Sequence, residues 1–278
     1  MRFRAFPVIS AGTFAVALLV AVVPARAADD TAAETCFDAK LTVKEVLDAC
    51  QAFIDKGNAD TKLLIRAHSI RAMGFSATGN IDKALDEMNA AVALDPKRAN
   101  SYFMRAAGYE AAKDYDKALT DLNTAIGIND KDADFYLLRG TVYSSMHDYD
   151  KALADMNKKV ELDPKATNGY SSRGALYRKR KEYALSIADY TEVIKLEPDK
   201  AKGYVDRGWI YVLNNDLDDA GADFDKALEL QKTNASALVG RGVVKSRKGS
   251  PTDGSADLRM AQKLEPGIFD QIRALGVK

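Results

Sequence analysis

A small residue recurs at every thirty-fourth position over most of the chain. The series is Ala84, Ala118, Ala152, Ser186, Ala220 and Gly254. Counting each as position 20 of a 34-residue unit gives six consecutive units: 65–98, 99–132, 133–166, 167–200, 201–234 and 235–268. Position 8 is always Ala or Gly, position 24 is large and apolar or aromatic, and position 11 is aromatic in the first five units. Because small residues let two helices approach closely, each unit predicts a helix A at about positions 1–14 and a helix B at about positions 16–29.

The ends of these predicted helices carry their own signals. Position 16 is a series of predicted helix N-caps, of which all but the Glu are strong capping types: Asn80, Asp114, Asp148, Glu182, Asp216 and Ser250. Position 32 is Pro in four units, which ends helix B and directs the chain into the next helix A. Position 30 is Leu or Ile throughout, and we expect it to close the apolar stripe of helix B.

This pattern resembles the tetratricopeptide repeat, and the resemblance covers residues 65–268 without a gap. It implies an all-α fold, a right-handed α-solenoid of six 34-residue helix-turn-helix repeats. Around the repeats we expect a disulfide-tied N-terminal helical cap over residues 28–64 and a short closing helix within residues 269–278. Solenoids of this kind act as extended protein-binding surfaces, so the resemblance implies protein–protein interaction.

The chain carries two columns of charge, and the first departs from the commonest form of that repeat, in which position 7 is usually apolar. Position 7 is Arg in every unit: Arg71, Arg105, Arg139, Arg173, Arg207 and Arg241. Position 23 is acidic in every unit: Glu87, Asp121, Asp155, Asp189, Asp223 and Asp257. Paired columns at a fixed spacing predict an Arg–carboxylate ladder between helices, within or between repeats. The alternative, six arginines that bind an anionic polymer, requires them to be free of those carboxylates.

Residues 1–27 have the pattern of a secretory signal peptide. They contain no acidic residue, two early arginines, an apolar run over residues 14–23 and an A-x-A sequence that ends at Ala27. We predict cleavage between Ala27 and Ala28. The alternative is a membrane anchor, but ten unbroken apolar residues make only ~15 Å of helix, about half of a bilayer core. The exported protein would then be periplasmic or secreted, in a bacterium of the Gram-negative type, with no membrane span in its mature form.

Cys36 and Cys50 are the only cysteines of the chain. An even number of cysteines behind an export signal indicates a disulfide. On one helix the pair would lie ~21 Å apart, so the chain must bend between them. Thr42 and Glu45 form a capping box that starts a helix after Cys36, and Gly57 is a plausible stop for that helix. The alternative, a redox-active pair, usually has C-x-x-C spacing.

The resemblance also places a partner groove on the A helices, at positions 2, 5, 9, 12 and 13. The candidate groove residues are Phe103, Leu137, Arg178, Lys179, Val205, Trp209, Val212 and Leu213. Trp209, the only tryptophan, would form an apolar patch with aliphatic neighbours beside two cations, and tryptophan is a frequent anchor of interfaces. The alternative is that Trp209 packs against the neighbouring helix as core, and the sequence leaves both open.

Composition narrows the class of function. The 40 Lys and Arg balance the 40 Asp and Glu, so the basic excess of a nucleic-acid binder is missing. The two histidines, His68 and His147, have no Cys or second His at metal spacing, and no G-x-S-x-G, Walker A or dinucleotide-binding glycine motif is present. The sequence predicts a non-catalytic adaptor or scaffold that binds a protein or peptide and needs no cofactor or metal. The alternative is a structural module that forms oligomers through its end repeats, which an uncovered apolar closing helix would favour.

Overall fold

The computed structural model describes residues 35–38, 40–57 and 60–276, and within them every regular element is a helix. The chain divides into two compact units, residues 1–142 and 143–278. The first unit holds α1 (Val43–Asp55), α2 (Thr61–Ala77), α3 (Ile81–Leu94), α4 (Ala99–Ala111), α5 (Tyr115–Ile128) and most of α6 (Ala133–Ser145). The second holds the end of α6 and then α7 (Tyr149–Leu162), α8 (Thr167–Lys179), α9 (Tyr183–Leu196), α10 (Ala201–Asn214), α11 (Leu217–Leu230), α12 (Ala235–Arg247), α13 (Pro251–Leu264) and α14 (Ile268–Ala274).

Each repeat contains the predicted pair of helices. All six B helices occupy positions 17–30, and five of the A helices start at position 1, while α2 starts four residues earlier. The B helices are shifted by one residue from the prediction because position 16 is the cap rather than the first helical residue. Within each unit, consecutive helices pack against one another, as in α4 with α5 and α10 with α11. The predicted all-α stack of helix pairs is therefore confirmed.

Position 15 takes the left-handed backbone conformation in all six repeats. The residues are Gly79, Lys113 (φ 61°), His147 (φ 63°), Lys181 (φ 61°), Asn215 (φ 68°) and Gly249. This turn brings the backbone N–H of the following residue back to helix A. In repeat 2, for example, the N–H of Asp114 donates to the carbonyl of Tyr109 at 2.8 Å. Side chains other than glycine are strained in this conformation. The sequence analysis did not anticipate this turn.

The residues at position 16 are the N-caps of all six B helices. The side chains of Asp114 and Asp148 accept the capping bond from the backbone N–H of Lys117 and Lys151. The other four side chains make no capping bond: Asn80, Glu182, Asp216 and Ser250. Three of these four bond to residues of the preceding turn instead. Among the B helices, the side-chain capping bond at position 16 is therefore formed in repeats 2 and 3.

The small residues at positions 8 and 20 hold the paired helices close together. Ala106 and Ala118 of repeat 2 are fully buried. In repeat 6, a Cβ added to Gly254 would lie 2.5 Å from the carbonyl oxygen of Gly242, a distance that no side chain tolerates. The close approach that was inferred from these columns is confirmed.

Position 30 does not behave as predicted. Its side chain is exposed in four repeats: Ile128, Leu196, Leu230 and Leu264. The prediction of a closed apolar stripe is wrong there because position 30 is the last residue of helix B and lies past the last buried turn.

The N-terminal cap is held by the predicted disulfide. Cys36 and Cys50 are bonded, with their Cα atoms 4.5 Å apart, and both are buried with Phe53. Thr42 caps α1, and the predicted capping box with Glu45 is complete. The helix ends at Asp55, two residues before the left-handed Gly57. The bend that the pair requires is the segment before α1.

The predicted signal peptide, residues 1–27, and its cleavage site at Ala27 and Ala28 lie outside the described residues. Among the helices that are described, none is long and apolar enough to cross a membrane.

Candidate partner-binding face

The arginine at position 7 binds the acid at position 23 of its own repeat in repeats 1, 2, 4, 5 and 6. In four of them Nε and Nη2 donate to both carboxylate oxygens at 2.7–3.0 Å: Arg105–Asp121, Arg173–Asp189, Arg207–Asp223 and Arg241–Asp257. In repeat 1, Arg71 donates once to Glu87 at 2.7 Å. The predicted ladder is confirmed in these repeats, and its carboxylates are largely removed from water.

Each ladder arginine also reaches the preceding repeat. Its Nη1 donates to position 25 there at 2.8–3.1 Å: Arg105–Asn89, Arg139–Asn123, Arg173–Asn157, Arg207–Thr191 and Arg241–Asp225. In repeat 1, where no repeat precedes, Arg71 donates to the carbonyl of Leu47 on α1. The sequence analysis missed this second bond, although position 25 is a visible column of Asn, Asn, Asn, Thr and Asp. One arginine therefore joins two helices of its own repeat to the repeat before.

The ladder keeps its charge. Hydrogen bonds that Arg105, Arg173 and Arg207 donate to their aspartates raise the pKa of these arginines, so the guanidiniums stay protonated. Burial raises the pKa of Asp189 and Asp223 above the usual value, and the arginine opposes that rise. The arginines of these repeats are held by carboxylates rather than free, so the anionic-polymer hypothesis loses its premise there.

Two ladder acids with a second partner residue differ from the others. Glu87 faces His68 as well as Arg71, and Asp257 faces Lys245 as well as its arginine. Burial is the largest influence on both and would raise their pKa values, but the hydrogen bonds from two partners together lower them. His68 is accordingly part of the ladder, through its hydrogen bond with Glu87 at 2.7 Å.

We call the surface formed by positions 2, 5, 9, 12 and 13 of the A helices the A-helix face. Trp209, at position 9 of α10, is only 2 % exposed. Its indole N–H donates to the hydroxyl of Ser236 at 2.9 Å, and its ring meets Phe224 edge to face at 5.1 Å. The structure thus decides between the two possibilities for Trp209: its side chain is core, and it is not an exposed anchor.

The other predicted groove residues divide by exposure. Leu137, Val205 and Val212 are buried, and Phe103 and Leu213 are half-buried. Arg178 is half-buried and Lys179 is exposed. Because four of the eight are enclosed, an exposed apolar patch around Trp209 does not exist in this state; whether the face binds a partner stays a prediction.

The closing helix α14 covers part of this face in the second unit. Its Ile268 and Ile272 are 2 % and 6 % exposed and belong to the same buried cluster as Val205, Trp209 and Val212. It packs against α12 and α13, while half-buried Phe269 and Leu275 complete its apolar side. An uncovered closing helix would have favoured self-assembly, and the structure shows a covered one.

Two arginines of the face bind carbonyls at the ends of helices. Arg178, at position 12 of α8, donates from Nη1 to the carbonyl of Leu275 at 2.8 Å, across 97 residues of sequence. Arg247, at position 13 of α12, donates to the carbonyl of Val212 in the last turn of α10 at 3.2 Å. Carbonyls in the last turn of a helix lack intrahelical partners and carry partial negative charge, which suits a guanidinium.

Lys179 is the exposed cation next to these contacts. Its ammonium donates to the hydroxyl of Ser144 at 2.9 Å and lies 5.7 Å from the ring centroid of Tyr149. Partial burial, and then the neighbouring Arg178, lower the pKa of Lys179 below its usual value. The face therefore offers apolar contact, directed guanidinium donors and the exposed ammonium of Lys179, which are means of binding a polypeptide.

Sequence profiles described as tetratricopeptide repeats match residues 71–134, 133–165 and 172–235. Together these segments make up more than half of the chain, and all lie within the span that the 34-residue period defines. No curated protein is similar enough to this chain to be matched.

Several solved structures have the same fold. A tetratricopeptide repeat protein from Parabacteroides merdae has a TM-score of 0.65 at 21% identity, covering 89% of this chain and 98% of its own. PilW, described as a widely conserved type IV pilus biogenesis factor, has a TM-score of 0.64 at 18% identity, covering 73% and 94%. YrrB, described as a TPR protein with an unusual peptide-binding site, has a TM-score of 0.53 at 20% identity, covering 69% and 97%. At these identities the likeness shows the fold alone.

Proposed function

The chain belongs to the tetratricopeptide repeat family, and we propose that it is a non-catalytic adaptor that binds a peptide or a partner domain on its A-helix face. Proteins of this architecture serve as scaffolds for protein–protein interaction. The ladder supports this role, because it locks successive repeats together and leaves positions 2, 5, 9, 12 and 13 free to vary. A rigid framework with a variable face is what an adaptor needs.

One observation carries the proposal: the A-helix face of repeats 4 to 6 receives a polypeptide segment in the structure. That segment is α14 of the same chain, which buries Ile268 and Ile272 and bonds to Arg178. A surface that accepts an apolar helix from within the chain has the chemistry to accept one from outside. YrrB, which has the same fold and is described as a TPR protein with an unusual peptide-binding site, also supports peptide binding as the function.

We extend the proposal to location: the protein is exported and works in the periplasm or outside the cell. The signal-like pattern of residues 1–27 and the Cys36–Cys50 disulfide support export, since disulfides persist in oxidising compartments. Intact-mass measurement of the exported protein, alkylated without reductant, should show a chain that starts at Ala28 with no alkylated cysteine. A mass that includes residues 1–27, or two alkylated cysteines, would contradict this.

The adaptor is preferred to self-assembly through end repeats because the closing helix is covered rather than free to pair with another copy. Light scattering separates the two, since an adaptor of this kind is a monomer in the absence of its partner. A concentration-independent oligomer would favour self-assembly instead.

The proposal is tested by site-specific photo-crosslinking in the protein's own envelope. A crosslinkable residue at position 179, on the A-helix face, should capture a partner, and the same residue at position 97, in an exposed inter-repeat turn, should not. The captured protein is then purified, and its binding should weaken when Lys179 is replaced by Glu and stay unchanged for Lys97→Glu. Capture at position 97 alone would move the partner site away from this face.

A further inference from the structure

We propose that α14 is an internal ligand of the A-helix face in repeats 4 to 6, and that the adaptor's partner is an amphipathic helix of the same pattern, which displaces it. This rests on the proposed function and specifies the partner and its control. Three observations support it: α14 fits the face, Arg178 binds its end, and its attachment is weak.

The fit of α14 is that of a ligand with one apolar side. Its four apolar residues, Ile268, Phe269, Ile272 and Leu275, follow the spacing i, i+1, i+4 and i+7, which puts them on one side of a helix. That side enters the cluster around Trp209, whereas the intervening residues 270, 271, 273 and 274 are exposed. A helix in a groove is held by anchors at this spacing.

The end of α14 is recognised by a specific donor. Arg178 belongs to repeat 4, two repeats before the one that precedes α14, and it bonds to the last-turn carbonyl of Leu275. A guanidinium in this place selects a helix that ends there, because a continuing helix would use the carbonyl in its own ladder. The partner expected from this chemistry is therefore a short amphipathic helix whose last turn lies against Arg178.

The attachment of α14 is weaker than that of the repeat helices. It has seven residues, whereas the helices of the repeats have 13 or more. Helices this short do not hold their structure alone in water, so α14 is helical only while docked. By contrast, α12 is held by the bonds of Arg241 to Asp257 and Asp225. Local opening of α14 can therefore precede the unfolding of the repeats.

The experiment measures whether the face accepts α14 in trans. The probe is a fluorescein-labelled synthetic peptide with the sequence of residues 265–278, and binding to the whole chain is followed by anisotropy. In the wild type, the chain's own α14 competes with the probe for the face. Ile272→Asp places a carboxylate in the apolar cluster and undocks the internal helix, so this variant should bind the probe at least about tenfold more tightly, since a freed site removes the competing fraction. Gln271→Asp adds the same charge at an exposed position of the same helix and should bind like the wild type.

Two further variants localise the bound probe. Adding Arg178→Ala to Ile272→Asp should weaken probe binding about tenfold, the effect of losing one hydrogen bond from a charged donor. A probe that itself carries Asp in place of Ile272 should not bind. Equal probe binding by wild type and Ile272→Asp, or no binding by a folded Ile272→Asp chain, would overturn the proposal.

Hydrogen exchange keeps the proposal testable if Ile272→Asp loses its helix content. In the wild type, amides of α14 should exchange at least about a hundredfold faster than those of α12, because they open locally. Equal protection of the two helices would mean that α14 leaves only on global unfolding, and the proposal would be rejected. A dimer that exchanges α14 between two copies would also overturn it. If the probe does not bind but crosslinking at position 179 captures a partner, the adaptor function is retained. Only the proposal that α14 is an internal ligand is then rejected.

Discussion

The A-helix faces of the two units differ, although their ladders are the same. In the second unit, positions 9 and 12 of α10 are Trp209 and Val212, both buried in the cluster that includes α14. In the first unit, the same positions of α4 are Ala107 and Glu110, both half-buried, and burial raises the pKa of Glu110 above its usual value. At these two positions the second unit is apolar and belongs to a cluster that includes a segment of its own chain, whereas the first unit has a small residue and a carboxyl.

The helix-pair framework and the A-helix face are therefore separable in this protein. Arg105–Asp121 in the first unit and Arg207–Asp223 in the second have matching two-bond geometry. The residues that set the helix pairs are repeated from unit to unit, whereas those that line the face are not. A substitution in the ladder should therefore have the same effect in either unit, and a substitution in the face should not.

The largest effect is expected for Trp209→Ala. It removes a buried indole and should lower the free energy of unfolding by about 4 kcal/mol, whereas Phe103→Ala on the half-buried face of α4 should cost about 2 kcal/mol. Urea unfolding followed by circular dichroism measures both, with Lys97→Ala as a control that should change nothing. Equal losses for the two aromatic residues would remove the difference between the faces.

Ladder substitutions come next in size. Asp121→Ala and Asp223→Ala each leave a partly buried guanidinium without its carboxylate and should each cost about 3 kcal/mol. The matched control is Glu192→Ala, which breaks an exposed pair with Lys195 and should cost about 0.5 kcal/mol or less. Markedly unequal losses at the two ladder aspartates would show that the framework is not shared between the units.

A smaller gain is expected from the strained turns. Lys113→Gly and Lys181→Gly, one in each unit, relieve a left-handed backbone and should each stabilise the chain by about 1 kcal/mol. The control is Lys195→Gly inside α9, which should destabilise by about 1 kcal/mol. Thermal unfolding measures all three, and a loss of stability at position 113 or 181 would contradict the account of the turn.

The smallest effect is a difference in the direction of two pKa shifts, and it separates ladder acids with two partner residues from those with one. The pKa of Glu87 is lowered in the folded chain, so its stabilisation is present above the unfolded pKa and is lost as pH falls through the folded value. Burial raises the pKa of Asp223, so acidification through its folded pKa favours the folded state until the unfolded pKa is reached. Carboxyl-carbon NMR titration of the two groups should show opposite shifts from unfolded peptides, and shifts of the same sign would contradict this.

Much of the framework could be predicted from the printed residues. The 34-residue period placed every B helix to within one residue, and the charge columns correctly paired Arg105, Arg173 and Arg207 with acids. Two parts of the framework were missed. The second bond of each arginine lies in a neighbouring repeat, and the left-handed turn at position 15 is filled by Lys or His as well as Gly. Neither position 25 nor position 15 is occupied by a residue type that is specific to its role.

The candidate site was less predictable than the framework, and the reason lies in helix geometry. A face position and a core position are neighbours on the same helix, so a pattern of apolar residues cannot tell Trp209 on a surface from Trp209 in a core. The answer depended on Ser236 and Phe224 and on α14, which follows some 60 residues later in the chain.

The sequence is enough to predict the repeat, its helix pairs, the ladder and the disulfide-tied cap, because each depends on spacing along the chain or on residue types that recur in register. The three-dimensional arrangement was needed to learn that Trp209 is enclosed, that position 30 is exposed and that Arg178 binds the carbonyl of Leu275. These depend on where distant segments come to lie, and burial is a property of that arrangement rather than of any local pattern.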